Sequence, residues 1–139
     1  MHVSTHKIRI RYADTDRMGY CYYGNYPTFF EIGRVEALRA LGIRYRDLED
    51  DGIILPVADM DVQYKKPVTY DEEITVETSV MEWPSGSRLK FGFKIFNEAE
   101  ELTTTGQCTL VFVNRETSRP CSAPEFMLEA LKPYFDSET

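Results

Sequence analysis

One helical repeat set among runs of strict alternation constrains this chain most. Across residues 25–42 (NYPTFFEIGRVEALRALG), Tyr26, Phe30, Gly33, Ala37 and Leu41 share one helical face, flanked by Phe29 and Leu38. Asn25 reads as the N-cap, Pro27 suits the first turn, and Gly42 suits the position just past the end. At about 1.5 Å per residue such a helix is roughly 25 Å long. Gly33 on its apolar side lets a sheet approach closely.

Around this helix the period is that of strands. Residues 7–12 alternate Ile8, Ile10 and Tyr12 against Lys7, Arg9 and Arg11, which places both His2 and His6 ahead of the first strand. Residues 43–53 form a polar connection with room for a helical turn. A strand is expected over 55–64, stopped by Lys65-Lys66-Pro67. Ile74, Val76, Thr78 and Val80 alternate through 73–82, and Pro84-Ser85-Gly86 makes a turn. Phe91, Phe93 and Ile95 alternate through 88–97, and 97–101 is a charged hairpin tip. A last strand covers 102–114, with Gly106 a bulge or bend and both faces apolar from Leu110 to Val113. A short helix over 124–135 closes the chain. Strand, long helix, then four consecutive strands in meander defines an α+β class: an antiparallel sheet packed on one helix. A chain of 139 residues without internal repeat or linker is one domain.

Several chemistries are excluded. A net charge of −7 argues against nucleic acid as partner, because phosphate binding needs a basic face. No apolar run reaches the length of a membrane span, and the first residues lack the apolar core of a signal peptide. Cys21, Cys108 and Cys121 have no metal-ligand spacing and cannot all pair, so reduced thiols in the cytoplasm are expected. No metal or nucleotide cofactor is indicated: there is no GxGxxG, no P-loop and no His or Cys pair at ligand spacing. With both histidines in the first six residues, a nucleophile–imidazole pair is not expected.

What remains is carboxylate chemistry on Asp14, Asp16, Glu31 and Glu36. A carboxylate serves as general base toward water or as nucleophile toward an activated carbonyl. Either role is helped by helix N-terminal amides aimed at the developing oxyanion. The glycines between Asp16 and Asn25 permit the turn that brings Asp16 back to the helix start, with the amides of Tyr23 and Gly24 as donors. Each feature also has an ordinary structural reading: Asp14 and Asp16 bracing a loop, Cys21 a small buried residue, Glu31 a solvated helix residue. Lys65, Lys66, Arg88 and Lys90 read as strand-end charges or as holders of an anionic tail. The tyrosines at 20, 22, 23 and 26 read as core.

The run Tyr12-Ala-Asp14-Thr-Asp16-Arg-Met-Gly19-Tyr-Cys-Tyr22-Tyr-Gly-Asn25-Tyr26, followed by Phe29-Phe30-Glu31 and Arg34, resembles the signature of hot-dog-fold acyl-CoA thioesterases of the 4-hydroxybenzoyl-CoA thioesterase and YbgC-like group. Met60-Asp-Val-Gln-Tyr64-Lys-Lys-Pro67 with Asp71 and Ile74, and the segment from Ser87-Arg88 to Phe93, support it. The resemblance spans roughly residues 6 to 120. It implies a five-stranded antiparallel sheet wrapped around one long central helix, paired as a homodimer or doubled to a homotetramer with sites at the subunit interface. It implies metal-free hydrolysis of an acyl-CoA, coenzyme A entering only as part of the substrate. By the resemblance Asp16 is the catalytic carboxylate, Tyr23 supplies the backbone amide that polarises the carbonyl, and Asn25 and Tyr26 line the same pocket with Gly24. Lys65, Lys66 and Arg88 are placed to hold the anionic tail. Many YbgC-like members have His where this chain has Tyr23, so an imidazole role is absent while the backbone role survives. Tyr20 replaces an aliphatic residue common in that loop. The expected reaction is hydrolysis of a small, medium-chain or aromatic acyl-CoA. The alternatives are a non-hydrolytic acyl-CoA binding module and a thioesterase acting on acyl-carrier protein.

Overall fold

The structure is a computed structural model that describes residues 1–135. The first strand, β1 (His2–Arg9), starts earlier and ends earlier than the apolar pattern indicates. Its ladder with β4 (Glu73–Val80) runs from His2↔Val80 to Arg9↔Glu73, so both histidines lie inside the strand. Backbone pairing carries the polar Ser4, Thr5 and His6 into the sheet, where alternation of apolar side chains gives no signal. The His2 ring is buried, with Nε2 2.9 Å from the Ala37 carbonyl.

The central helix α1 (Tyr26–Ala40) buries Tyr26, Phe29, Phe30, Gly33, Ala37 and Leu38, as its period requires, together with Arg34. Arg34 Nε donates to the Tyr45 hydroxyl at 3.1 Å, which ties α1 to α2 (Tyr45–Asp50), the helical turn of the polar connection. Asn25 occupies the N-cap position, yet its side chain makes no cap; the amide is used elsewhere, as described below. Gly42, at φ 82, accepts the left-handed conformation that ends the helix.

The remaining elements are β2 (Ile53–Ile54), β3 (Val57–Tyr64), β5 (Arg88–Phe96), β6 (Leu102–Val111), β7 (Val113–Asn114) and α3 (Glu125–Leu131). The expected last strand is therefore two pieces: Phe112 interrupts it, and β7 leaves the main sheet to pair with β2. The five-stranded sheet is antiparallel in the order β1-β4-β5-β6-β3. This corrects the meander. Only β4, β5 and β6 follow one another through hairpins; β3 sits at the far edge, paired with β6. Hairpin turns at 84–86 and 97–101 fix β4-β5-β6, β1 occupies the outer edge of β4, and the edge left for β3 is that of β6. Residues 65–72, with Pro67 among them, carry the chain from β3 at one edge of the sheet across to β4, which lies beside β1 at the other edge.

The helix lies against the sheet at its smallest residues. A Cβ on Gly33 would sit 2.4 Å from Thr78 Oγ1, so α1 approaches β4 there as closely as a glycine allows. Phe30 stacks on Phe93 with ring centroids 4.2 Å apart. Gly106 is not a bulge: it pairs in regular register with both Val62 and Phe93, and it leaves room for the Phe30 ring. The irregularities fall instead between Val57 and Asp59 and between Ile95 and Phe96.

Candidate active site

The two aspartates of the loop do different work. Asp14 is buried, and its Oδ2 accepts the Arg11 backbone N–H at 2.8 Å and Arg11 Nε at 3.3 Å, while Oδ1 accepts Arg11 Nη2 at 3.2 Å. That pairing raises the guanidinium pKa of Arg11. The Asp14 carbonyl accepts the Tyr22 N–H and the Asn25 side-chain amide, both at 2.8 Å. Asp14 is thus the brace, and Asn25 holds the loop to it.

Asp16 sits one turn further on, half-buried. Its N–H donates to the Tyr20 carbonyl at 2.9 Å, and its own carbonyl accepts the Gly19 N–H at 3.0 Å. Gly19, at φ 83, closes this turn. Oδ1 accepts the Met18 N–H at 2.8 Å; among the described residues no donor occupies Oδ2. The carboxylate is held and still has free lone pairs.

Asp16 opens onto a pocket of about 380 Å³ walled by Tyr20, Tyr23, Tyr26 and Tyr64, with Met18 and Cys21 beside it and Lys65, Lys66 and Pro67 at one side. Beneath it the crossover is stitched to the loop: Cys21 N–H donates to the Val68 carbonyl at 2.7 Å. A single turn of 3-10 helix, Tyr23–Asn25, leads into α1. No acceptor among the described residues takes the Tyr23 or Gly24 N–H, which leaves the two amides free as donors at a helix start. At Gly24 a Cβ would lie 2.5 Å from Cε2 of the exposed Tyr22 ring folded over it, so a side chain there would push that ring aside.

Burial holds three of the other groups in the wall in their protonated forms at neutral pH. Burial pushes the Cys21 thiol up to about 11 and the Tyr26 phenol up to about 12. Partial burial also raises Tyr64. Asp16 is the carboxylate among the residues that line the pocket. A thiol held protonated is inert, so Cys21→Ala is expected to leave kcat within about twofold of wild type, checked by thiol-release kinetics.

Of the residues anticipated from sequence, the pocket gathers Asp16, Tyr23, Tyr26, Lys65 and Lys66. Gly24 and Asn25 are not among the lining residues: the Tyr22 ring packs over Gly24, and the Asn25 side chain is bonded to Asp14. Arg88 begins β5 and lines a separate depression of about 230 Å³ with Glu82, Trp83, Ser85 and Lys90. Tyr64 is a wall residue that sequence reasoning gave no role; an aromatic ending a strand just before Lys65-Lys66-Pro67 was the signal available. Among the described residues no cluster of His, Cys, Asp or Glu is arranged to hold a metal ion, and no helix is long and apolar enough to cross a membrane.

An antiparallel sheet curled on one long helix, with Asp16 and the turn that starts the helix sharing one pocket, defines a hot-dog domain. The model of the thioesterase-like superfamily matches residues 10–131. The chain is 38% identical over 120 residues to the putative acyl-CoA thioesterase YneP of Bacillus subtilis, covering 86% of each protein. It superposes on the DHNA-CoA thioesterase of Staphylococcus aureus with TM-score 0.83 and 40% identity, covering 99% of this chain and 87% of that one. A hypothetical protein, TT1821, of Thermus thermophilus gives TM-score 0.86 at 28% identity over 94% of this chain and 98% of that one. The chain belongs to the thioesterase-like superfamily, and with it to the thioester hydrolases of the hot-dog fold.

Proposed function

We propose that this protein hydrolyses an acyl-CoA thioester to the free acid and coenzyme A, with an aromatic acyl group as the preferred class. The observation that carries the reading is the half-free Asp16 carboxylate lining one pocket with Tyr23, whose amide is unpaired like that of Gly24. The thioester carbonyl points at those amides, which stabilise the oxyanion as it forms. Asp16 then either takes a proton from the attacking water or adds to the carbonyl itself, giving a mixed anhydride that water opens. In both routes the C–S bond breaks and the thiolate leaves with a proton from solvent.

Four tyrosine rings around the pocket favour a flat acyl group that stacks on their faces and edges. The relatives named above include enzymes of acyl-CoA and DHNA-CoA, which supports the same class. Apolar walls separate chain lengths by only about 1–3 kcal/mol per methylene, so medium chains are accepted more weakly rather than refused. Three free thiols suit a reducing compartment. Two copies pair along β3, whose outer edge carries no partner strand among the described residues and exposes Val57 and Tyr64.

The test is thiol release from a panel of aromatic, short and medium-chain acyl-CoAs. Turnover highest on an aryl-CoA supports the proposal; tight binding of acyl-CoA without release marks a binding module, and turnover only of acyl-carrier protein moves the substrate.

The two lysines are expected to differ. Lys66 Nζ is already paired with Glu101, while Lys65 has no ion pair among the described residues. Both are exposed, so each interaction with a phosphate is worth about 0.2–1 kcal/mol. Lys65→Ala should raise KM about two- to fivefold at low salt with kcat unchanged, and Lys66→Ala should raise it less. Equal effects in steady-state kinetics would contradict this division.

A further inference from the structure

We infer that Tyr64 is a positioning residue for this reaction: its hydroxyl holds the turn that presents the carbonyl-polarising amides. The inference rests on the thioesterase reading above. Tyr64 is the last residue of β3, and its O–H donates to the Tyr23 carbonyl at 3.1 Å. The same carbonyl accepts the Tyr26 N–H, one step after the Tyr22 carbonyl takes the Asn25 N–H, so it is an acceptor in the helical turn that runs into α1.

In a helical turn the carbonyls point along the axis and the N–H groups point back out of the start. Tyr23 C=O and Gly24 N–H belong to one planar trans peptide, so fixing the oxygen fixes the donor at its other end. A hydrogen bond to the oxygen also polarises the peptide and strengthens that N–H as a donor. The Tyr64 ring meets Tyr26 edge-on at 5.0 Å and Tyr23 at 6.5 Å, so three tyrosines lock the turn to the strand end. Without the phenolic hydroxyl, the Tyr23 carbonyl keeps only its bond from the Tyr26 N–H.

Nothing in this role requires Tyr64 to touch the reacting atoms. Its contribution belongs to kcat rather than to KM, because a better-aimed donor acts most strongly on the developing oxyanion. Complete removal of one oxyanion donor costs about 10²–10³ in kcat; loosening one costs less, about tenfold.

The test uses Tyr64→Phe, which keeps the ring and removes only the hydroxyl, with the acyl-CoA that the wild type turns over fastest. Expected is a fall in kcat of about tenfold with KM within about twofold of wild type. In parallel, the infrared carbonyl stretch of the ¹³C-labelled thioester is read on Asp16→Asn, where turnover is slowed enough to hold the bound ester, and on Asp16→Asn/Tyr64→Phe. A downshift from the free ester that shrinks in the double variant supports the positioning role. An unchanged kcat, an unchanged stretch, or a loss confined to KM in an otherwise active enzyme overturns this inference alone. A wild type that hydrolyses no acyl-CoA overturns the thioesterase reading, and this inference with it.

Discussion

Asp16→Asn is expected to lower kcat by about 10²–10⁴-fold while leaving the fold intact, because general-base catalysis by a positioned carboxylate is worth that much. The substitution isolates chemistry from structure unusually well at this position. Asp16 uses Oδ1 to accept the Met18 N–H, a bond that the amide oxygen of asparagine reproduces. The residue is half-buried and makes no ion pair among the described residues, so the change in stability should stay within about 0.5 kcal/mol. Asp14 offers no substitute, since both its oxygens are engaged by Arg11. Burial keeps the Cys21 thiol and the Tyr26 and Tyr64 phenols protonated at neutral pH. Thiol-release kinetics and a thermal melt measured together decide the matter: near-normal kcat in a folded variant would remove Asp16 from the mechanism.

How much of this was legible beforehand depends on the distance over which each feature is determined. β4 and β5 stood out because Ile74, Val76 and Val80, and Phe91, Phe93 and Ile95, are buried in strict alternation with wetter neighbours. The first half of β1 did not, because Ser4, Thr5 and His6 join the sheet through backbone bonds to β4 rather than through apolar side chains. The place of β3 was illegible for a related reason. A strand's pairing partner is chosen by which edge remains open once the hairpins have closed, and no local period records that.

The site divides in the same way. Asp16, Tyr23 and Tyr26 line one pocket because one contiguous motif carries them into the turn and helix start. Asn25 has the composition of a cap, yet the Asp14 carbonyl eleven residues back claims its amide. The Tyr64 hydroxyl reaches Tyr23 across forty-one residues, a contact that only the crossover of 65–72 and the edge position of β3 bring about. Arg88, expected with the lysines, is carried by the β4–β5 hairpin to a different surface of the same chain.

Gly106→Ala is expected to be the most destabilising conservative change in the sheet, and the reason lies in what surrounds its missing Cβ. That atom would stand 2.6 Å from Cε2 and Cζ of Phe30 and 2.7 Å from the carbonyl oxygen of Asp61. Neither neighbour can yield cheaply. Phe30 is fully buried and stacked on Phe93 at 4.2 Å, so turning its ring breaks the packing at the centre of the core. The Asp61 oxygen is backbone of β3, held to β6 on both sides of the contact by the pairs Met60↔Cys108 and Val62↔Gly106. Overpacking of this kind costs about 1–3 kcal/mol. With a urea slope of about 1–3 kcal/mol/M, the midpoint should fall by about 1 M. Gly92→Ala is the control: its Cβ would meet Ser79 Oγ at 3.0 Å and the end of the exposed Met81 side chain at 3.6 Å, and both can move aside. Urea midpoints for the two variants should therefore separate clearly, and a Gly106→Ala protein as stable as Gly92→Ala would mean that α1 does not press on β6 at Phe30. Because displacement of β3 also carries away Tyr64 and the two lysines that follow it, the folded fraction of Gly106→Ala should turn over more slowly than wild type, whereas Gly92→Ala should match it.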